Sequence, residues 1–305
     1  MVKIPNTLVE EIVDRSSDFN DIKLEITTAI GCAMDCSYCP QSSLHREYKL
    51  VARDGYSGER VMSRKMLKRV LDNCPDDITL HWTGFVEPLM APTINELLTE
   101  ATLRGFKQSM NSTLYGATKK NIDLLFAGDL ERLNLHLPDE YGHMKMRVDA
   151  QYLEGVEYAM SLMRPDKDGV HFIGTPNAKV LEFITSKSSI CSSKLSEGIE
   201  FNIQELVNSR ASNVPHNPNT PILLEDQPNR GGAMYCGGKR FTQPNVLPNG
   251  MLVLCCMDYS LEEVHGDLSE SKLTDLLREN VIDLAHRISC GSKNLCSKCE
   301  WLRPL

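Results

Sequence analysis

The sequence predicts an α/β protein in which about six strands alternate with five helices, followed by a small cysteine-rich appendage. Three observations carry this reading. Apolar residues switch between a two-residue and a 3.6-residue period, a Pro- and Asn-rich stretch interrupts the chain at 208–230, and the 11 cysteines fall mainly into one group near each end. The 305 residues suffice for one large domain, or one domain with a small addition. Hydrophobic residues at 41% and charged residues at 24% are near globular averages, which excludes a disordered or collagen-like chain.

After an N-terminal segment, 1–20, the first strand is expected at Ile22–Thr28, just before the first cysteines. A helix at about Ser63–Cys74 places Met66, Leu67, Val70 and Leu71 on one face. There follow a strand at Ile78–Thr83, a helix at Thr93–Arg104, a strand at Phe106–Met110 and a helix at Ala117–Ala127. Next come a strand at Arg132–Leu137, a long helix near Met146–Met163, a strand at Val170–Ile173, a weaker helix near Ala178–Ser186 and a last strand at Ile199–Ile203. Such alternation predicts a parallel sheet with right-handed crossovers over 21–207. It is either a partial (β/α)6 barrel or an open doubly wound sheet, and both put functional groups at the C-terminal ends of the strands. The stretch 208–230 reads as a linker. Beyond it, 231–305 holds a hairpin turning at LPNG, between Thr242–Val246 and Met251–Leu254, and a helix near Lys272–Glu279. A hairpin and one helix cannot build a large core, so a metal is expected to stabilise this part.

No apolar run reaches the roughly 18 residues of a membrane-spanning helix. The opening segment lacks the apolar centre of a signal peptide. A net charge of −8 favours neither nucleic acid nor an anionic membrane as partner. A reducing, cytoplasmic setting is expected, in which cysteines serve as metal ligands or catalysts more often than as disulfides.

The segment GCAMDCSYCPQ places Cys32, Cys36 and Cys39 in a C-x3-C-x2-C spacing. Three thiolates in so short a loop can ligate three irons of a [4Fe–4S] cube and leave the fourth open to a small molecule. The alternative is a zinc knuckle with a distant fourth ligand such as His45. In the tail, Cys236, Cys255, Cys296 and Cys299 form two distant pairs that suit a closed four-thiolate site, of zinc or of iron and sulfur. Cys256 and Cys290 are spare, and Cys290 is a possible substitute for one of the four. Cys74 and Cys191 read as structural.

GCAMDCSYCP resembles the signature of the radical S-adenosylmethionine (radical SAM) superfamily, with Tyr38 in the aromatic place before the third cysteine. The resemblance implies a partial (β/α)6 TIM-like barrel and a [4Fe–4S] cluster whose open iron binds SAM. It further implies reductive SAM cleavage to a 5′-deoxyadenosyl radical, which takes a hydrogen atom from substrate. HWTGFVEPLM is similar to the family's Gly-Gly-Glu-Pro segment: Gly84, Glu87 and Pro88 match, whereas Phe85 and Val86 depart from the glycines. By resemblance Glu87 accepts from the SAM ammonium. SMNSTL resembles the Thr-Asn-Gly segment through Asn111. In LNLHLP, His136 is expected to face the SAM ribose or the substrate, as a cofactor contact and candidate catalytic residue. Its bland alternative is a rim or core histidine.

The tail resembles the SPASM and shorter twitch extensions of this superfamily, with Cys236, Cys255, Cys296 and Cys299 as ligands of an auxiliary [4Fe–4S] cluster. Because the sequence stops soon after Cys299, the single-cluster twitch form is expected. The resemblance implies two-electron oxidation of a small polyol, sugar, amino sugar or nucleoside, with the auxiliary cluster as electron acceptor and a flavodoxin- or ferredoxin-type donor. Two alternatives are modification of a ribosomal peptide or protein side chain, and redox-neutral epimerisation or decarboxylation with Cys191 or Cys256 as hydrogen donor. The missing winged-helix module before the first strand speaks for the small molecule. Alcohol oxidation needs a proton acceptor, for which His81, His136 and His171 at strand ends are candidates. A non-catalytic iron–sulfur electron carrier is the reading from a different class; it leaves the open three-cysteine site without a purpose.

Overall fold

Side-chain alternation is what gives this sheet its two unlike faces. In a computed structural model describing residues 6–51, 56–204, 207–214 and 233–305, α1 (Asn6–Ser16) leads into β1 (Lys23–Ile26), α2 (Gln41–Val51) and α3 (Arg64–Leu71). The β/α alternation continues through β2 (Thr79–Trp82), α4 (Ile94–Leu103), β3 (Lys107–Ser112), α5 (Lys119–Phe126), β4 (Asp129–Leu137), α6 (Ala150–Leu162) and β5 (Gly169–Ile173). After β5 come α7 (Ala178–Glu182), a π turn, α8 (Ser189–Ser196) and β6 (Glu200–Gln204). The C-terminal part holds β7 (Met234–Cys236), β8 (Asn245–Val246), β9 (Met251–Val253), β10 (Val264–Asp267), α9 (Leu273–Ser289) and β11 (Leu302–Pro304).

Strands β1 to β6 pair in order and in parallel, forming the partial (β/α)6 barrel. Leu24, Ile26, Leu80, Trp82, Met110, Leu133, Leu135, Val170 and Phe172 point outward and pack under the helices in one apolar cluster. The alternate residues point into the lumen and are polar: Glu25, His81, Ser109, Asn111, Asn134, His136 and His171. A hydrogen-bonded chain crosses this interior. His81 Nδ1 meets Ser109 Oγ at 2.6 Å and His81 Nε2 meets Asn111 Nδ2 at 3.1 Å. Asn134 Nδ2 donates to Asn111 Oδ1 at 2.9 Å, and His171 Nε2 lies 3.3 Å from Asn134 Oδ1.

The C-terminal hairpin joins the barrel sheet. β8 runs parallel to β1, with Glu25 N donating to Pro244 O at 2.9 Å and Thr27 N to Val246 O at 3.0 Å. β9 and β10 follow antiparallel, so β6 and β10 are the two edges of a nine-stranded sheet. The tail closes separately, β11 pairing with β7 so that Leu302 stands opposite Cys236.

Several elements differ in extent from the expectation. The long helix starts at Ala150 rather than Met146, because the Asp149 side chain caps Tyr152 N at 3.0 Å. The final helix runs on to Ser289, since Val281, Leu284, Ala285 and Ile288 keep its apolar stripe against Ile12 of α1. Helices α1 and α2 were not expected; most of the linker, 215–230, lies outside the described residues. Leu80, fully buried between strand and helices, anchors the outer face. Leu80→Ala should cost about 2–5 kcal/mol in a urea titration, without change in far-UV circular dichroism.

Candidate active site

The loop following β1 carries Cys32, Cys36 and Cys39 and is held from its far side. Ser37 N donates to His143 O at 2.9 Å, Lys145 N to Met34 O at 3.0 Å, and the Lys145 ammonium pairs with Asp35. Asp139 organises that supporting segment by accepting from the backbone of Tyr141, His143 and Met144. The three cysteines line one cavity of about 140 Å³, which they share with Tyr38, Gly84, Glu87, Asn111 and His136. Every residue expected to contact SAM is therefore gathered with the first cysteine group at the C-terminal ends of β1 to β4. Burial is the first cause that pushes the Cys32 and Cys36 thiols up; Cys39 raises both. A metal would displace those protons.

Gly84 has φ +72°, and a Cβ there would stand 2.2 Å from Thr27 Oγ1. No other residue fits without movement of that floor. Phe85, where the family pattern has glycine, is buried against the Tyr259 ring at 4.4 Å, and its carbonyl accepts from Gln41 Nε2 at 2.6 Å. Glu87 is 6% exposed and ties the end of β2 to the end of β3. Its carboxylate accepts from Ser112 Oγ at 2.7 Å, Thr113 N at 2.6 Å, Thr113 Oγ1 at 2.7 Å and Leu89 N at 3.2 Å. Burial raises its pKa and these bonds oppose the rise. A ligand ammonium at Glu87 would share oxygens that four donors already occupy.

His136 stacks on Tyr38 with ring centroids 6.4 Å apart. Burial first, then the neighbouring His171 and Arg210, lower its pKa to about 4. His81 is lowered to about 4 by burial and by Arg240 and Lys23, and His171 is lowered by burial. All three are neutral at pH 7 and are weak proton acceptors, suited to hydrogen bonding.

Buried polar atoms without a partner mark where a ligand belongs. Among the described residues these include Tyr38 OH, Gln41 Oε1 and His136 Nε2, all on residues lining the cavity. The cavity thus combines thiols able to ligate a metal with unmet hydrogen-bonding groups, as a cluster with a bound organic cofactor requires. Gln41, Ser112, Thr113, Arg210 and Tyr259 line it as well and were not foreseen. Gln41 alone has a local signal, standing next to Pro40 after the third cysteine.

Cys236, Cys255, Cys296 and Cys299 meet in a second apolar cluster with Phe241, Leu254 and Met257. Burial leads the upward shift of all four thiols, and members of the set raise one another. Buried, mutually close thiols are a donor set for a metal centre. Among the described residues no three His, Cys, Asp or Glu side chains converge as for a single metal ion. Cys290 is exposed at the end of α9, apart from the set. Cys256 belongs to the lumen side, facing Glu25, Arg240 and Arg210. Cys191 is the buried residue of α8, packed in the outer core, and the Cys74 thiol donates to Val70 O at 3.3 Å.

The chain aligns with solved structures over nearly its whole length. BtrN in complex with AdoMet and 2-DOIA matches with a TM-score of 0.55 and 12% identity, covering 93% of this chain and 94% of that one. Streptococcus suis SuiB bound to the precursor peptide SuiA matches with a TM-score of 0.51 and 12% identity, over 89% of this chain and 68% of that one. Native anSMEcpe with bound AdoMet matches with a TM-score of 0.50 and 14% identity, over 92% and 86%. The fold is that of the radical SAM enzymes. Identities this low speak for the radical SAM fold alone and assign no residue a role. No protein-family model and no curated protein sequence matches the chain.

Two outcomes follow from the site's geometry. Gly84→Ala should destabilise the chain by more than about 1 kcal/mol in a denaturant titration. Adding Thr27→Ala should recover only part of this, since the positive φ remains. Stability should also fall as pH drops from about 6.5 to about 4. In that window the unfolded chain protonates His81 while the folded chain holds it neutral. Thermal melts of His81→Asn should show a flatter dependence over the same range.

Proposed function

We propose that this chain is a radical SAM oxidoreductase acting on a small polar molecule, with a second iron–sulfur cluster on its C-terminal cysteines. The observation that carries the reading is one cavity at the strand ends, lined together by Cys32, Cys36, Cys39, Gly84, Glu87, Asn111 and His136 and by unpartnered buried polar atoms. Cys32, Cys36 and Cys39 would hold a [4Fe–4S] cluster with SAM. Cys236, Cys255, Cys296 and Cys299 would hold the auxiliary cluster. When bound, these groups supply reductive SAM cleavage, hydrogen abstraction from the substrate and acceptance of the second electron.

The protein's own part is placement and exclusion of water. Glu87 fixes the two loops that form one wall; Tyr38 and His136 offer a flat surface with hydrogen-bonding edges. The polar lumen beneath suits hydroxyl and amino groups, which favours a polyol, sugar, amino sugar or nucleoside. The cavity, of about 140 Å³, is open at the strand ends. The turn carrying Arg210 is a wall segment outside the barrel strands. A flavodoxin- or ferredoxin-type protein is the proposed electron donor, and a cytoplasmic setting fits the reading.

One observation favours a second reading, modification of a peptide. The edge strand β6 is exposed throughout, with Phe201 and Ile203 on one face, and an exposed strand edge can pair with an extended peptide. SuiB, bound to a precursor peptide, shares the fold.

Oxygen-free reconstitution tests the proposal. About eight irons per chain are expected, falling to about four in Cys296→Ala/Cys299→Ala, with 5′-deoxyadenosine formed by the wild type and lost in Cys36→Ala. About four irons plus one zinc would make the tail structural and leave the oxidation without its electron acceptor.

A further inference from the structure

The described turn that follows β6 is held in a conformation that side chains rarely adopt. Arg210, Ala211 and Ser212 are consecutive and left-handed, with φ of 55°, 53° and 62°. None is glycine, and strain of this kind persists only where the surroundings impose it. Here the imposing group is Glu300, next to Cys299 and 3% exposed. One of its oxygens accepts from Ser209 N and the other from Ala211 N at 3.3 Å. The turn closes on itself through Val214 N to Ser209 O at 2.9 Å and Asn213 Nδ2 to Arg210 O at 2.8 Å.

The strained turn places the Arg210 guanidinium in the wall of the active cavity. It lies 6.0 Å over the Tyr259 ring, with Nη1 3.8 Å from Met257 Sδ. Neither neighbour neutralises it, and among the described residues no carboxylate forms an ion pair with it. The carboxylate that acts on it is Glu25, more weakly than Tyr259 does, and Arg240 already approaches Glu25 at 3.7 Å. His136, which faces it across the cavity, is neutral. Two guanidiniums therefore share one carboxylate, and the wall between the two cysteine groups carries excess positive charge.

We propose that Arg210 recognises an oxyanion, a carboxylate or phosphate, on the substrate, and that Glu300 is the positioning residue that aims it. A guanidinium fork matches both oxyanions with paired hydrogen bonds. His136 Nε2, buried without a partner in the same cavity, takes a hydroxyl of the same ligand, which makes the substrate class hydroxylated acids or sugar phosphates. This rests on the proposed radical SAM function and narrows its substrate.

The test is calorimetric titration of the reconstituted, SAM-loaded enzyme with D-gluconate, D-glucose 6-phosphate and neutral D-sorbitol. At least one anion is expected to bind about tenfold more tightly than sorbitol. Arg210→Gln should abolish that preference and Arg210→Lys should keep part of it. Glu300→Gln should weaken the anion and leave sorbitol unchanged, with partial rescue by Glu300→Asp. Equal affinity for sorbitol and the anions, no anion binding at millimolar concentration, or a preference that survives Arg210→Gln would overturn the proposal. So would an equal loss of SAM affinity in Arg210→Gln, which would assign the guanidinium to the SAM carboxylate. The wild-type iron count and 5′-deoxyadenosine yield fail separately if the underlying function is wrong.

Discussion

The two-faced strand is the constraint on which this molecule is built. In β2, Leu80 and Trp82 lie under the helices while His81, between them, faces the lumen. The same alternation runs through β1, β3, β4 and β5. Burial of the outer faces supplies the cohesion of the barrel, and it frees the inner faces from that duty. The inner faces can therefore be polar, provided that each polar group is satisfied. The chain Ser109–His81–Asn111–Asn134–His171 meets that condition within the barrel. At the C-terminal ends, where the loops diverge, Tyr38, Gln41 and His136 are left with unmet atoms. The site lies beyond the end of that chain.

The thiols extend the same logic. Cysteine sulfur is small and apolar enough to bury, but both cysteine groups are buried beside one another. Burial and mutual repulsion hold Cys36 and Cys255 as neutral thiols in the metal-free chain. Metal binding would convert repulsive neighbours into ligands, so folding of the tail and loading of its centre are one equilibrium. Beside that centre, β7 and β11 form only a two-stranded sheet, while β8, β9 and the start of α9 are tied to the barrel core.

Legibility followed the sequence distance over which each feature is decided. The Cys32–Cys36–Cys39 loop is local, and its spacing alone indicated a common centre. Gly84, Glu87, Asn111 and His136 stand at strand ends, so the β/α period together with the family resemblance placed them on one side of the barrel. Arg210 has no such signal. Its position depends on Glu300, far along the chain, and on a backbone conformation no residue type announces. Tyr259 reaches Cys39 across a similar separation, at 3.2 Å. The unforeseen continuation of α9 has a plainer cause: its apolar stripe was present but faces α1, a helix the reading had left unassigned.

β1 joins the two halves of the molecule. Its C-terminal end opens into the first cysteine loop, and its free side takes β8, whose hairpin ends at Cys255. A parallel strand pairs along a fixed register, so the two cysteine groups are set against one another by backbone hydrogen bonds rather than by side-chain packing. Glu25 lies on this shared strand, Asn245 stands opposite it on β8, and Cys256 and Arg240 approach from the tail. The cavity beyond is lined from both halves, by Cys39 and by Tyr259. The relative placement of the two cysteine groups is then set by the sheet, while the Arg210 turn forms a wall of the cavity from outside it. Spacing of the cysteine groups and lining of the cavity are separate tasks, and the fold assigns them to separate elements: the first to β1 and β8, the second in part to a turn held by Glu300.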